Sequence, residues 1–346
     1  MFFVHPQIKL NRLKKINLSS KLESYFPGKQ VIFTDMGRSA FKVIIEQLNL
    51  QNSEILMPAY ICDIFHPIFE RYNIKPIFLD IDLKTFHVKP EEIEKKITPN
   101  TKAILICHTY GLPFDIEKVK KWGLPIIEDC AHAFSIKPKS PIAFFSLYKQ
   151  FPSLRGGLLV CPKDWQVSLP KTSFNFRDFI SLLNCFPFFA FVFKKFGKDI
   201  APKIVRKEKL LKPAGLNNLS LALFAHSLED FEKSLPNRIN LAKRFQIELK
   251  KLGFEVQEQD HNVFCYLSAL VPKSLEEKRD KIVEKLREYG VFCTRIWHAP
   301  IVLDKDEFPN TFEAANRIIN FPLQNHYKEE DILRMTDVIK KVLEKI

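Results

Sequence analysis

The sequence lacks the patterns that mark secreted and membrane-spanning proteins. Its seven cysteines are widely separated, odd in number and without a CxxC pair, which is typical of a reduced cytosolic protein rather than a disulfide framework. No apolar run reaches the roughly 18 residues that a membrane-spanning helix needs. The first residues also lack the basic region, apolar stretch and cleavage site of a secretory signal. These absences predict a cytoplasmic location.

Signatures of nucleic-acid and nicotinamide binding are absent as well. There is no zinc-finger spacing, no RNP-like strand and no Arg-rich arm, and no GxGxxG follows the first predicted strand. The formal net charge of +13 nevertheless favours an anionic partner, which charge alone leaves open among nucleic acid, an acidic membrane and a phosphorylated substrate. Without the usual motifs, nucleic acid is the weakest of these, and we expect no nucleic-acid partner.

What is present is a soluble composition and a repeated order of elements. The chain has 346 residues, 46% hydrophobic and 27% charged, enough for two domains. Apolar strands alternate with helices through the first half, beginning with "VIFTDMGRSAFKVIIEQLNL". This order predicts an α/β fold, a three-layer α/β/α domain with a mainly parallel sheet. We place it at 1–235, with a Phe-rich basic insertion at about 174–212, and a smaller α+β domain at 236–346.

Polar residues follow two of the predicted strands, and ligands of parallel sheets gather at such ends. Gly37, Arg38 and Ser39 open a helix and form a potential anion site, although Ser39 as a simple N-cap is the alternative. Asp129 follows a buried strand, with His132 three residues on. A carboxylate there would bind a protonated ring nitrogen, and the alternative is an acid in a surface turn.

Lys149 lies between an apolar strand and the pair Gly156-Gly157, in "FFSLYKQFPSLRGGLLV". Desolvation at this position should lower the pKa of the amine, and only a neutral amine forms an imine with an aldehyde. The alternative is a lysine that extends to solvent.

In this order, these segments resemble the DegT/DnrJ/StrS family of pyridoxal-phosphate-dependent sugar aminotransferases, which have the aspartate-aminotransferase fold (fold type I). The resemblance covers nearly the whole chain and is carried by "MGRSA", "LMPAYIC", "IFLDIDLKTFHVKPEEIEKKITPNTKAILICHTYG", "PIIEDCAHAF", "FFSLYKQFPSLRGGLLV" and "VFCTRIWHAP". Several separated motifs in one order are far more specific than any one of them.

The resemblance implies a role for each matching residue. Lys149 matches the lysine that forms the internal aldimine with pyridoxal 5'-phosphate and moves the proton, and Asp129 matches the acid that keeps the pyridine nitrogen protonated. His132 matches a position near the phenolic oxygen of the cofactor. Arg38 and Ser39 match the phosphate-binding turn.

Further positions are implied less directly. Ser146 is a further contact to the phosphate or the lysine loop, and His108, Tyr110 and His298 line up with the substrate side. No metal site is expected. The family's stacking aromatic is replaced by Cys62, and its Asn-Tyr-Arg element from the neighbouring subunit is not recognisable after Gly157.

The function that the resemblance implies is amino transfer from an amino acid such as glutamate to a nucleotide-linked keto sugar, in polysaccharide or glycolipid biosynthesis. The alternatives are a sugar dehydratase, in which histidine typically replaces the lysine, and a non-catalytic relative that binds a sugar or a partner enzyme. Relatives build each site at a two-fold interface, so a homodimer is expected.

The Phe-rich segment 179–207 leaves two interpretations open. Its phenylalanines, Phe186, Phe188, Phe189, Phe191 and Phe193, pack in the dimer or against the small domain, or they form a patch at the inner membrane face. In the second case the basic residues Lys194, Lys195, Lys198, Lys203, Arg206 and Lys207 would be attracted to anionic headgroups.

Overall fold

A computed structural model describes residues 1–3, 6, 18–186, 188–189, 191–192, 212–258 and 261–346. Its largest sheet has seven strands in the order β2-β8-β7-β6-β5-β3-β4. They are β2 (Gln30–Thr34), β3 (Glu54–Pro58), β4 (Lys75–Leu79), β5 (Thr101–Cys107), β6 (Ile126–Asp129), β7 (Ile142–Ser146) and β8 (Gly157–Cys161). Only β8 runs opposite to the other six strands, so the predicted mainly parallel sheet is confirmed.

Helices cover both faces of this sheet, because its central strands are apolar on both sides. The helices are α1 (Leu18–Tyr25), α2 (Gly37–Gln47), α3 (His66–Tyr72), α4 (Pro90–Lys96), α5 (Glu117–Lys120) and α6 (Phe176–Asn184). Along β5, Leu105 belongs to the core under α2 and α3, whereas Ile104 and Ile106 belong to the core under α4 and α5. This alternation produces the three layers that the sequence predicts.

A second core lies in the C-terminal part. Here α7 (Asn218–Lys251), α8 (Arg279–Glu288) and α10 (Glu329–Leu343) pack on a small antiparallel sheet in the order β12-β10-β9. Its strands are β9 (Glu255–Val256), β10 (Leu267–Leu270) and β12 (Ile318–Phe321); β11 (Val291–Phe292) and α9 (Pro309–Arg317) complete this part. The predicted smaller α+β unit is confirmed. Pro236 lies inside α7, next to the predicted boundary between the two domains at residues 235 and 236. The position of that boundary stays a prediction.

The first residues of the chain join this C-terminal part. Strand β1 (Phe2–Phe3) pairs in parallel with β11, and the ring of Phe3 stacks on that of Phe292 with centroids 5.0 Å apart. The backbone N–H of Phe3 also donates to the hydroxyl of Tyr327 at 3.0 Å. Phe2 and Phe3 therefore pack with the C-terminal part, although the predicted large domain begins at residue 1.

The Phe-rich segment is described only in part. Helix α6 begins with a capping box in which Asn175 and Asp178 exchange side-chain to backbone bonds. Phe188 is 69% exposed and Phe189 is 40% exposed, so neither packs in the core of the single chain. The ring centroid of Phe191 lies 6.1 Å from that of Phe292. Phe193 and the basic run from Lys194 to Lys207 lie outside the described residues, and the described helices include none long and apolar enough to cross a bilayer.

Candidate active site

A cavity of about 520 Å³ opens at the carboxyl ends of the parallel strands. Five of the six predicted cofactor-binding residues line it: Arg38, Asp129, His132, Ser146 and Lys149. They come from the start of α2, the end of β6 and the end of β7, which the sheet order brings together. The structure thus assembles one site from residues up to 111 positions apart in the sequence.

Asp129 is the last residue of β6, between Cys107 of β5 and Phe144 of β7. Its side chain is buried, and Oδ1 accepts the backbone N–H of Ala131 at 2.9 Å. Burial raises the pKa of this carboxyl group, and the charge of Lys149 opposes the rise. A cation placed against Asp129 would therefore stabilise the carboxylate strongly, since little water competes for it.

Lys149 ends a short 3-10 turn, Leu147–Lys149, that follows β7. The predicted decrease of its pKa is wrong for this structure. Burial lowers the pKa of the amine as expected, but the acidic side chains around it outweigh burial and the net pKa is raised; in order of strength they are Tyr148, Cys62, Asp129 and Cys265. The sequence did not show that Tyr148 and Cys62 would lie beside the amine.

His132 connects the lysine to the small α+β unit. Its Nε2 lies 2.9 Å from Nζ of Lys149, and its Nδ1 accepts the backbone N–H of Tyr110 at 3.3 Å. Burial holds the pKa of this imidazole well below its usual range, so the ring is neutral. With Nδ1 accepting, we assign the ring hydrogen to Nε2, which donates to the amine only when Lys149 is neutral. This contact stabilises the neutral amine and opposes the acidic neighbours.

Aromatic rings hold His132 in place. Its ring stacks on Tyr110 with centroids 5.6 Å apart, and Trp297 packs on it from the C-terminal part at 5.1 Å. Trp297 lines the cavity with a backbone φ of 60°, which is strained for a bulky residue. The sequence analysis did not single out Trp297, although it precedes the predicted His298.

The start of α2 forms the anion-binding end of the cavity. Gly37 and Arg38 line it. Met36 is the N-cap residue, and its side chain does not cap the N–H groups of the helix. The alternative in which Ser39 caps its own helix is therefore wrong. Ser39 is the third residue of α2, buried, and outside the cavity lining. Helix N–H groups left without side-chain caps favour an anion.

Gly156 and Gly157 explain how this helix start is positioned. Met36 forms a parallel bridge with Gly156, and a Cβ on Gly157 would lie 2.4 Å from the carbonyl carbon of Met36. Such a distance is shorter than any real contact, so the turn before α2 lies against β8 only because residue 157 has no side chain.

A second arginine reaches the same place from α6. The guanidinium of Arg177 lies 3.7 Å from the sulfur of Met36. Burial lowers the pKa values of both Arg38 and Arg177. Repulsion by Arg38 and Arg155 lowers the pKa of Arg177 further. Positive charge is therefore concentrated at the start of α2. Arg177 was missed because its segment was interpreted only as an insertion.

The loop after Lys149 is fixed by a buried ion pair that the sequence analysis also missed. Nε of Arg155 donates to Oδ1 of Asp178 at 2.5 Å, and Asn217 donates to the other oxygen at 3.2 Å. Arg155 and Asp178 are both buried. This pair joins the lysine loop to the first turns of α6 and α7.

The three residues predicted on the substrate side do not line the cavity. Both ring nitrogens of His108 are used: Nδ1 accepts the N–H of Phe114 at 2.9 Å and Nε2 bonds to Glu128 at 2.8 Å. Tyr110 is fully buried and its hydroxyl donates to the carbonyl of Ile296 at 3.0 Å. His298 is exposed and bonds to a backbone carbonyl in its own turn. Their substrate roles stay predictions.

The residues fit pyridoxal phosphate as a group. A buried carboxylate suits a protonated ring nitrogen, a lysine amine suits an aldehyde, and the uncapped start of α2 with Arg38 suits a phosphate. These groups face one cavity, whose volume lies in the range of small-molecule sites.

Comparison with known proteins agrees with this fit. The model of the DegT/DnrJ/EryC1/StrS aminotransferase family matches residues 14–166 and 184–342; the gap between them contains Arg177 and Asp178. A dTDP-4-amino-4,6-dideoxy-D-glucose transaminase of Shigella dysenteriae is 23% identical over 94% of this chain and 89% of its own length. A UDP-2-acetamido-2-deoxy-3-oxo-D-glucuronate aminotransferase of Pseudomonas aeruginosa is 22% identical over 88% of this chain and 84% of its own.

Solved structures show the same fold. A putative sugar aminotransferase from Streptococcus pneumoniae in its PLP form superposes with a TM-score of 0.75 at 15% identity, over 99% of this chain and 98% of that one. The S. venezuelae protein DesV, in complex with a ketimine intermediate, gives 0.71 at 18% identity, over 96% and 91%. The predicted resemblance is confirmed: the chain belongs to the DegT/DnrJ/EryC1/StrS aminotransferase family, and its cofactor is pyridoxal phosphate.

Proposed function

We propose that this aminotransferase moves an amino group from an amino acid such as glutamate to a keto sugar carried on a nucleotide, in the cytoplasm. The observation that carries the proposal is the convergence of Lys149, Asp129 and the start of α2 on one cavity. Two relatives are named as dTDP-sugar and UDP-sugar enzymes, which supports the substrate class.

When bound, pyridoxal phosphate supplies an aldehyde that condenses with amines and a ring that takes up the electron pair released at carbon. Asp129 would keep the ring nitrogen protonated, and its burial makes the charge-assisted hydrogen bond worth about 1.5–3 kcal/mol. Lys149 would move a proton between the cofactor and the reacting carbon of the substrate: away from the α-carbon of the amino donor in the first half of the reaction, and to the sugar carbon that receives nitrogen in the second. His132 would orient the amine and keep it neutral through its Nε2 hydrogen.

The anionic part of the substrate supports the same assignment. Arg38 and Arg177 concentrate positive charge beside the cavity, and the whole chain carries a net charge of +13. Arg38 and the start of α2 suit the phosphate of the cofactor, and Arg177 adds a second guanidinium that suits the phosphates of a nucleotide. Arg177 belongs to the same chain as Lys149, so this charge does not depend on a neighbouring subunit.

The absorbance of the purified holoenzyme with and without glutamate tests the proposal. We expect a visible band from cofactor joined to Lys149, lost in Lys149→Ala and kept in Lys163→Ala, a matched change at an exposed lysine. Glutamate should shift the band of the wild type, and a nucleotide-linked keto sugar should restore it. A band retained in Lys149→Ala would refute the lysine assignment. A band that glutamate does not change would favour the non-catalytic alternative.

Two further proposals concern assembly. We propose a homodimer, as in fold-type relatives that build each site between two chains. For the exposed phenylalanines around Phe188, burial in that dimer is the first interpretation and contact with an anionic membrane is the second. The exposed fraction of Phe188 in the single chain is compatible with both.

A further inference from the structure

A second cavity lies behind the lysine turn. It has a volume of about 280 Å³ and is enclosed by the loop after Lys149, one face of α7 and the loop that follows β12. Gln150 lines it, whereas Lys149, the preceding residue, lines the first cavity. The two cavities therefore lie on opposite sides of one short turn.

The face of α7 toward this cavity is mostly polar. It contributes the polar residues His226, Ser227, Asp230, Ser234 and Arg238, together with the apolar Leu223 and Phe231. Arg238 is buried, whereas Asp230 is exposed. A cavity lined by a buried cation and several polar side chains can accommodate a polar ligand.

Gln150, which lines the cavity, has a buried amide donor without a partner among the described residues. The residue is 4% exposed, and its Oε1 accepts the backbone N–H of Phe134 at 2.7 Å, which fixes the orientation of the amide. Its Nε2 is buried and has no hydrogen-bond partner among the described residues. An unpaired buried donor destabilises the protein, so a ligand that accepts a hydrogen bond from Nε2 removes that cost.

The lining defines the chemistry of the ligand. The lining offers a donor and a cation, namely the Gln150 amide and the buried guanidinium of Arg238, which also donates to Phe264, Cys265 and Asn325. It also offers acceptors: the hydroxyls of Ser227 and Ser234 donate to helix carbonyls, so their oxygens offer only lone pairs, and the exposed Asp230 adds a carboxylate. A carboxylate suits the donor and the cation, and an ammonium group suits the acceptors.

We propose that this cavity is a non-catalytic binding site for a free α-amino acid. The carboxylate of the ligand bonds to Nε2 of Gln150 and faces Arg238, and its ammonium group faces Asp230. Since the backbone N–H of Gln150 bonds to the carbonyl of Leu147, occupancy holds the turn that carries Lys149. The site is independent of the proposed sugar substrate.

Calorimetric titration of holoenzyme tests the site, with the cofactor first fixed to the protein by borohydride so that the first cavity is filled. The probes are L-glutamate, succinate and propylamine, each up to about 10 mM, a range that covers weak binding. We expect one glutamate per chain, and at least tenfold weaker binding of succinate and propylamine.

Two variants separate the site from general folding effects. Gln150→Glu keeps the acceptor for Phe134 but replaces the donor with a negative charge, and should weaken glutamate binding at least tenfold. Asp230→Asn should weaken glutamate but leave succinate unchanged. Gln166→Glu, the same change at an exposed residue, should bind as the wild type does. No binding to the wild type, or equal glutamate binding by a folded Gln150→Glu, would overturn the proposal.

Discussion

Replacing Lys42 by methionine should stabilise the protein at neutral pH. Lys42 lies on α2, one turn after Arg38, and only 1% of its surface is exposed. Burial, together with repulsion by Arg38 and Arg71, lowers its pKa from 10.5 to about 8, while Asp35 and Glu46 oppose the shift. The folded state therefore holds this proton less tightly than the unfolded chain does.

The size of the effect follows from the two pKa values. Below pH 8 Lys42 is protonated in both the folded and the unfolded state, and its buried charge lowers the free energy of unfolding by about 3 kcal/mol. This value corresponds to about 1.4 kcal/mol for each unit between the two pKa values, about 8 and 10.5. Between those values the unfolded chain binds more protons, so the free energy of unfolding rises with pH. Above 10.5 the penalty is gone.

Urea denaturation at pH 7 and pH 10 measures this. Lys42→Met should have a higher free energy of unfolding than the wild type, with an unchanged m-value. This gain should be about 2 kcal/mol larger at pH 7 than at pH 10. Lys163→Met controls for the loss of one lysine. Because an anion beside Arg38 favours charged Lys42, inorganic phosphate should reduce the gain at pH 7. An equal gain at both pH values would refute the argument.

Four further outcomes are expected. Asp129→Asn should bind cofactor, as judged by absorbance, but lose most turnover, because an amide does not keep the ring nitrogen protonated; turnover like that of the wild type would point to another acid. Gly157→Ala should weaken cofactor binding by displacing the start of α2, whereas Gly215→Ala, where a Cβ meets no atom closer than 3.5 Å, should not; equal affinities would contradict the close packing. Light scattering should give a dimer, and a fully active monomer would exclude the shared site. In cosedimentation with anionic liposomes, a buried dimer patch predicts no binding, whereas binding that Phe188→Ser abolishes would support the membrane alternative.

The sequence predicted the site best where a reactive side chain follows a strand of the parallel sheet. Asp129 and Lys149 stand at the ends of apolar strands, and parallel strands bring their carboxyl ends to one edge, so their meeting was predictable. His108 also follows a strand, but it bonds to Glu128 in the interior and does not line the cavity, so its substrate role stays a prediction. A position after a strand does not determine on which side a side chain finds its partner.

Contacts between distant segments were not predictable in this way. Arg155 and Asp178 form a buried pair, yet in the sequence each resembles an ordinary surface charge. Trp297 reaches His132 across the boundary between the two parts of the chain, and no local pattern encodes that distance. The pKa of Lys149 depended on the same kind of contact, because Cys265 and Cys62 are far from it in the chain.

The pairing of β1 with β11 has a consequence for how the protein is made. Phe2 and Phe3 precede their partners Val291 and Phe292 by 289 positions, so they leave the ribosome long before those partners are synthesised. At about 5–20 residues per second, the two apolar side chains wait roughly 15–60 s for their native contacts. During that interval the seven-stranded sheet has all its strands available and can fold first. Until their partners are made, Phe2 and Phe3 therefore leave apolar surface exposed on the nascent chain, which is the kind of surface that chaperones protect.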